Sequence, residues 1–335
     1  MPYQTGSASS PTDLLQKIAT WLVSIGWTQD RNAVEASGWT FTGHNNGNYV
    51  NLRATMNEST PWQIAYGTAG YALHMYLGTG FNGSNTWNGQ PGAPIGSSSN
   101  AIGVAMTLSA GPFSNYYFFS DATANDIVVI VEKTPGLYVQ LGWGLSLNKA
   151  GSYTGGAYFF GSSSSYWAQY NSVGPGTPGY TSTANCPFAI SDGVSGAAVG
   201  FVRADVDTFT GKWIGIWNSA SGADEGYTGK QGDTSAPTAF ANYSTRYFPT
   251  YRYNYSPWPY DFNACLTSQQ DGRANLLPIL LWVVRDGTTT GHSLLGSPPF
   301  VFFTNGVGAG FSNAQEIVIG STTYKMFPNF AVVKQ

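Results

Sequence analysis

Residues 127–141 read IVVIVEKTPGLYVQL and contain two apolar runs, 127–133 and 137–141, on either side of a short polar break. The runs are rich in β-branched and aromatic residues, which favour strands. The break at 134–136 is Thr-Pro-Gly, and proline followed by glycine suits the central positions of a tight turn. The stretch therefore predicts a β-hairpin.

Similar short runs with strand character recur along most of the chain. They lie at residues 39–42, 49–56, 71–77, 116–119, 197–205, 212–217, 276–284, 300–304, 316–319 and 323–327. Such spacing is typical of a β-rich protein. The chain shows no repeat of fixed period, which argues against a propeller, a solenoid or a fibrous shaft and favours a globular shape.

One segment near the N-terminus has helical periodicity instead. Its apolar residues recur at helical spacing and are Leu14, Leu15, Ile18, Leu22 and Ile25. We expect Thr12 to cap this helix, with Pro11 and Gly26 marking its two ends. Trp21 and Trp27 could widen the apolar stripe, so we expect one face of the helix to pack on a sheet.

These patterns predict a mixed α+β fold that is mainly antiparallel β. The N-terminal helix packs on a sheet built from residues 30–160 in the first domain, residues 1–165. Residues 166–265 are predicted to form a loop-rich β insertion or second domain. Residues 266–335 are predicted to supply strands that complete the first domain.

Two long stretches of small polar residues interrupt the strand pattern. Residues 78–100 are mostly Gly, Asn, Ser and Pro around Phe81 and Trp87, and residues 161–185 are similar. The first stretch predicts a long loop fastened by its two aromatic side chains. Such loops form binding or catalytic sites in some proteins and contacts between neighbouring subunits in others, and both interpretations stay open here.

Charged residues make up only 9% of the chain, against roughly 25% in typical soluble proteins. The net charge of −3 comes with no basic run, so no nucleic-acid partner is indicated. No apolar stretch approaches the roughly 18–20 residues of a membrane helix, so no membrane insertion is expected. The first residues, MPYQT, do not resemble a signal peptide, and we expect synthesis in the cytoplasm without general secretion.

The sequence shows no recognisable catalytic, cofactor or metal motif. The three histidines, His44, His74 and His292, are far apart, and the run around His74 is so apolar that a place on a strand face is the simpler interpretation. Asp205 and Asp207 could share one strand face, but two carboxylates are too few to hold calcium. We therefore predict no catalytic residue, no cofactor, no metal and no enzymatic activity. Whether Cys186 and Cys265 pair stays open.

An aromatic tract between residues 243 and 262 is the most unusual feature. Its candidate contact residues are Tyr243, Arg246, Tyr247, Tyr251, Arg252, Tyr253, Tyr255, Trp258 and Tyr260. Tyrosine, tryptophan and arginine are enriched at interface hot spots, so the tract is predicted to be an interaction surface. Two alternatives are that its tyrosines cover a sheet edge of the same chain and that its rings stack on sugars.

Several segments together resemble tail-region structural proteins of tailed bacteriophages. They are SSPTDLL at 9–15 with GWT at 26–28, YYFF at 116–119 with the following hairpin, YVQLGWG at 138–144, Lys149, YTGGAY at 153–158, IG at 319–320 and YKMFPN at 324–329. The resemblance covers about the first 160 and about the last 60 residues. It implies a virion component of the baseplate or another tail substructure, present in symmetric copies and bound to other tail proteins. It transfers no catalytic residue.

The leading hypothesis is therefore a structural tail protein that assembles through charge-poor, aromatic interfaces. Low charge fits this hypothesis, because burying an unpaired charge between subunits costs several kcal/mol. The alternatives are a host-attachment module that binds surface glycans through Trp87, Trp167 or Trp258, a capsid decoration protein, and a cell-wall hydrolase. No motif in the sequence indicates a hydrolase.

Overall fold

The structure is a computed structural model. It describes residues 2–35, 38–54, 71–94, 103–145, 154–164, 199–205, 212–216, 243–248, 276–278, 280–285, 292–296, 301–304, 314–327 and 330–334. Within these residues, no helix has both the length and the apolar character needed to cross a bilayer.

One α-helix, a single short 3₁₀ turn and many strands make up the described part of the chain. The helix α1 spans Pro11–Ser24. The strands up to residue 164 are β1 (Tyr3–Ala8), β2 (Thr28–Glu35), β3 (Gly38–Asn45), β4 (Asn48–Ala54), β5 (Ala72–Gly78), β6 (Val104–Thr107), β7 (Phe113–Ser120), β8 (Ile127–Thr134), β9 (Leu137–Gly144), β10 (Thr154–Gly161) and β11 (Ser163–Ser164). The later strands are β12 (Val199–Asp205), β13 (Lys212–Ile216), β14 (Tyr243–Phe248), β15 (Leu276–Pro278), β16 (Leu280–Arg285), β17 (His292–Gly296), β18 (Val301–Thr304), β19 (Glu316–Ile319), β20 (Thr322–Met326) and β21 (Phe330–Val333).

The strands form four antiparallel sheets. A seven-stranded sheet has the order β1-β7-β8-β9-β10-β12-β13, and a six-stranded sheet has the order β11-β6-β5-β4-β3-β2. The remaining strands form a three-stranded sheet, β14-β16-β17, and a five-stranded sheet, β15-β18-β21-β20-β19. The prediction of a mainly antiparallel β fold with one N-terminal helix is confirmed for the described residues.

The predicted hairpin is confirmed as β8 and β9. Thr134 pairs with Leu137 across the turn, and Pro135 and Gly136 lie between them. Gly136 has a φ of +79°, a left-handed conformation that glycine adopts without steric cost.

The cap of the helix lies earlier in the chain than the sequence suggested. The Ser10 hydroxyl accepts a hydrogen bond from the Asp13 backbone N–H at 3.1 Å, so Ser10 is the N-cap and the prediction of Thr12 was wrong. The reason is Pro11, whose fixed φ and missing N–H suit the first helical position, which places the cap immediately before it. The predicted ends are confirmed, since Gly26 follows the last turn with a φ of +105°.

The helix lies against the face of the six-stranded sheet that is turned toward the seven-stranded sheet. It contacts β1 to β5, and Gln16 exchanges hydrogen bonds of 3.0 Å with Asn32 of β2. On its other side the Trp21 ring lies 5.3 Å from the Phe118 ring of β7. Helix and both sheets share one hydrophobic core, to which Phe41 and Leu141 contribute from the two sheets. The predicted packing of the helix on a sheet is confirmed.

At one side the chain passes directly from one sheet to the other. Gly161 of β10 pairs with Leu141 in the seven-stranded sheet, and two residues later Ser163 pairs with Ala105 in the six-stranded sheet. The Ser162 hydroxyl between them accepts a hydrogen bond from the Gln140 backbone N–H at 2.7 Å. This crossing holds the two sheets together at that edge.

The second face of the seven-stranded sheet is covered by the C-terminal strands. The Phe327 ring, just after β20, lies 5.7 Å from Tyr117, 6.3 Å from Phe119 and 5.4 Å from Tyr138. The Lys325 ammonium lies 4.8 Å from the centre of the Tyr117 ring. The seven-stranded sheet, called the central sheet below, is therefore buried on both faces, which explains the near-continuous apolar sequence of β8.

The predicted division into domains stays a prediction, although two features bear on its boundaries. Strands β12 and β13 fall in the range assigned to a second domain, yet β12 pairs with β10 as part of the seven-stranded sheet. The apolar block 276–284 is divided between two sheets, with β15 in the five-stranded and β16 in the three-stranded sheet.

Candidate functional site

The predicted aromatic interaction surface is only partly within the described residues. Tyr243, Arg246 and Tyr247 lie on β14, where Arg246 is paired with Trp282 and Tyr247 with Leu281 of β16. Outside the described residues lie Tyr251, Arg252, Tyr253, Tyr255, Trp258 and Tyr260. The role of this tract in contacts with a partner stays a prediction.

The exposed surface carries little charge where side-chain exposure is described, which leaves out most residues of β12 to β18. There Glu316 is the most exposed charged residue, and the Asp13 and Lys17 side chains are each about one-third exposed. The other strongly exposed residues are Gly, Ser, Thr, Asn, Gln, Pro, Ala or Val. We call this set of exposed residues the neutral surface.

Several partly buried charges are neutralised within the chain. The ion pairs are Asp13–Lys17 at 3.5 Å, Arg31–Glu35 at 2.9 Å, Glu316–Lys325 at 3.4 Å and Glu316–Lys334 at 2.9 Å. The Lys334 ammonium nearby holds the pKa of the Glu316 carboxyl below its usual range. These pairs reduce the field that the described part projects into solvent.

Strand β2 forms an open edge of the six-stranded sheet. Among the described strands it pairs with β3 alone. Ala33 and Val34 are exposed, and Val34 is 60% exposed. The strand contains no lysine and no proline, but it carries Asp30, Arg31 and Glu35, and charged side chains on an edge limit pairing to partners of complementary charge. A bulge at Asp30 interrupts it near its start.

The loop formed by residues 79–94, here called the cover loop, packs on the outer face of the six-stranded sheet. Trp87 of this loop is only 2% exposed and lies edge-on to Tyr76 at 5.1 Å. The Arg53 guanidinium lies 5.0 Å from the centre of the Trp87 ring, in cation–π geometry. The Tyr76 hydroxyl donates a hydrogen bond to the Trp87 backbone carbonyl.

The burial of Trp87 decides between two sequence interpretations. Its predicted role in fastening the loop is confirmed, because the side chain is enclosed by residues of the same chain. Its predicted role as a sugar platform is wrong, because a ring that stacks on a sugar must present an open face. The composition of the loop could not reveal this, since the partners Arg53 and Tyr76 come from β4 and β5.

The cover loop also holds the open edge in place. The Arg31 guanidinium of β2 donates hydrogen bonds to the backbone carbonyls of Gly83 at 3.2 Å and Asn85 at 2.7 Å. The Glu35 carboxylate accepts a hydrogen bond from the Trp87 backbone N–H at 3.1 Å. Hydrogen bonds therefore join the cover loop to the edge strand, although the loop has few apolar residues of its own.

His74 lies on β5 under the cover loop, on the strand face that its apolar surroundings predicted. It is 5% exposed, and its ring lies 6.3 Å from the Trp87 ring. Burial and the nearby Arg53 charge hold the pKa of His74 well below its usual value, so the imidazole is neutral at pH 7. Burial likewise raises the pKa of Tyr76. The cover loop therefore packs over a neutral imidazole, that of His74.

Within the described residues, no group of three or more His, Cys, Asp and Glu side chains is arranged to hold a metal ion. Comparison with models of known protein families and with curated protein sequences finds no match. The neutral surface and the open edge of β2 are thus the features of the described residues that point to a function.

Proposed function

We propose that this protein is a structural component of a bacteriophage tail, in the baseplate or a tail-associated assembly, where it binds other virion proteins and copies of itself. The neutral surface is the observation that carries the proposal. A charge buried between subunits without a partner costs several kcal/mol, whereas neutral polar groups can exchange hydrogen bonds with water for hydrogen bonds with a neighbour. A surface with few strongly exposed charges can therefore be covered by neighbours at low cost.

The described fold suits a structural role. The central sheet is covered on both faces, and β10 and β11 join it to the six-stranded sheet. Such doubly covered sheets are close-packed and deform little, so a subunit of this kind can transmit load and position its neighbours. The resemblance of the short segments at 9–15, 26–28, 116–119, 138–144, 153–158, 319–320 and 324–329, with the hairpin and Lys149, to phage tail proteins supports the same role.

Two alternative functions are supported by part of the same observations. A capsid decoration protein would use the same neutral surface at a different place in the particle. A glycan-binding host-attachment module would have to use Trp167, Trp258 or the tyrosines of the aromatic tract, because Trp87 is buried.

The test is to locate the chain in particles. Virions of the phage that encodes it would be purified, separated into heads and tails, and analysed by quantitative mass spectrometry and cryo-electron microscopy. We expect the chain in the tail fraction, in several symmetric copies, with much of the neutral surface covered by neighbours. Its presence in heads would favour decoration, and its absence from particles would overturn the proposal.

A further inference from the structure

The backbone of β2 has hydrogen-bonding groups directed at the open edge. Asn45 and Asn48 close the β3–β4 hairpin around Asn46 and Gly47, whose φ values of 50° and 80° indicate a type I′ turn. In such a two-residue turn the closing pair, Asn45 and Asn48, is hydrogen-bonded. Along β3 the backbone groups of successive residues then bond alternately toward β4 and toward β2. Because those of Asn45 bond toward β4, those of Thr40 and Thr42 bond toward β2.

The same alternation assigns the groups on β2. Thr40 is paired with Ala33 and Thr42 with Arg31, so the backbone groups of Ala33 and Arg31 are directed at β3. The Thr40 hydroxyl also donates to the Ala33 carbonyl at 3.2 Å, which agrees with this assignment. The backbone N–H and C=O groups of Asn32 and Val34 consequently face away from β3, toward the open edge.

We propose that two copies of the chain pair antiparallel through β2, with Ala33 on the two-fold axis, and so join their six-stranded sheets. An antiparallel partner must place outward-directed groups opposite outward-directed groups. With Ala33 facing Ala33 of the second copy, Asn32 lies opposite Val34 of that copy and the condition is met. The bulge at Asp30 confines the pairing to residues 31–35.

Charge complementarity selects this register and this partner. It places Arg31 opposite Glu35 of the second copy, and the symmetric contact repeats on the other side of the axis. Each intrachain Arg31–Glu35 pair then lies beside an identical pair running in the opposite direction, so four charges alternate in sign. A register centred on Arg31 would oppose two guanidinium groups, and one centred on Asn32 or Val34 would give the charged residues no opposite charge. The contact also covers Val34.

This inference deepens the proposed self-association and rests on it, so the experiment separates the two. Ala33→Cys and Val34→Cys variants of the full chain would be oxidised, and disulfide-linked peptides would be identified by mass spectrometry, with the wild type reporting links made by Cys186 and Cys265. Opposed Cα atoms in a non-hydrogen-bonded pair are about 4.5 Å apart, within reach of a disulfide. The two Val34 residues are offset by two positions, about 6.8 Å along the strand, and are too far apart.

We expect the Ala33→Cys variant to form a disulfide between the two introduced cysteines, and the Val34→Cys variant to form at least tenfold less. A Val34→Pro variant removes an outward N–H without breaking the bonds to β3, so it should weaken self-association in sedimentation experiments while leaving the melting curve unchanged. Self-association that gives no link at position 33, or that survives Val34→Pro, would overturn the β2 interface and leave the proposed self-association standing. A chain that is monomeric at all concentrations and forms no link would overturn both.

Discussion

Replacing Trp87 with alanine should destabilise the whole described fold, although Trp87 lies in a loop. Its side chain is 2% exposed and contacts the rings of Tyr76 and His74 and the guanidinium of Arg53. Truncating a buried tryptophan to alanine typically costs about 3–5 kcal/mol, because burial is lost and a cavity remains. This is a large part of the roughly 5–15 kcal/mol by which domains are stable.

Urea unfolding, monitored by circular dichroism at wavelengths where tryptophan does not contribute, would measure the change in the free energy of unfolding. With a slope of about 3 kcal/mol per molar urea, a cost of about 3–5 kcal/mol moves the midpoint down by roughly 1–1.7 M. Trp87→Phe is the matched control, because it retains an aromatic ring against Arg53 and should lose less than half as much. A loss below about 1 kcal/mol for Trp87→Ala would refute the inference that the cover loop is part of the core.

Three further predictions concern the C-terminal sheet, the buried histidine and the neutral surface. Phe327→Ala should cost about 3–5 kcal/mol in urea unfolding and Phe327→Leu less than about 1.5, because Phe327 fastens the five-stranded sheet to the central one. The pKa of His74 is lower in the folded than in the unfolded chain. The contribution of His74 to the free energy of unfolding should therefore be constant above about pH 6.5 and decrease below it, by at most about 1.4 kcal/mol per pH unit. Thermal melting at several pH values should show that His74→Gln lacks this contribution. Lysines placed together at the exposed positions Thr20, Gln29 and Ser114 should leave the melting temperature within about 2 °C but exclude the chain from assembled particles, whereas glutamines there should not, as immunoblots of purified virions would show.

Local patterns predicted the local elements of this fold. The hairpin of β8 and β9 follows from two β-branched runs around Pro135 and Gly136, and α1 follows from its apolar spacing. The cap was misplaced because Ser10 and Thr12 are both good capping residues, and only the position of Pro11 between them distinguishes the two. Strand β1 was not predicted, since its sequence YQTGSA has little strand preference and its partner β7 lies more than a hundred residues away.

The candidate site was less predictable, because it depends on contacts between distant segments. Trp87 occurs in a stretch of glycine and asparagine that is typical of an exposed loop, yet Arg53 and Tyr76 bury it. The open edge of β2 depends on the order of strands in the sheet, which side-chain alternation does not specify. Low charge was evident from composition, but the pairing of charges such as Glu316 with Lys334 depends on how the strands are arranged.

The double covering of the central sheet has a consequence for synthesis of the chain. Tyr117, Phe119 and Tyr138 have emerged from the ribosome long before Phe327, which covers them. At about 5–20 residues per second, the interval between Tyr138 and Phe327 is on the order of ten to forty seconds. Throughout that interval these aromatic residues lack their contact with Phe327, and exposed aromatic surface is of the kind that binds holdase chaperones. The rate of translation and the supply of chaperones should therefore govern the yield of folded protein.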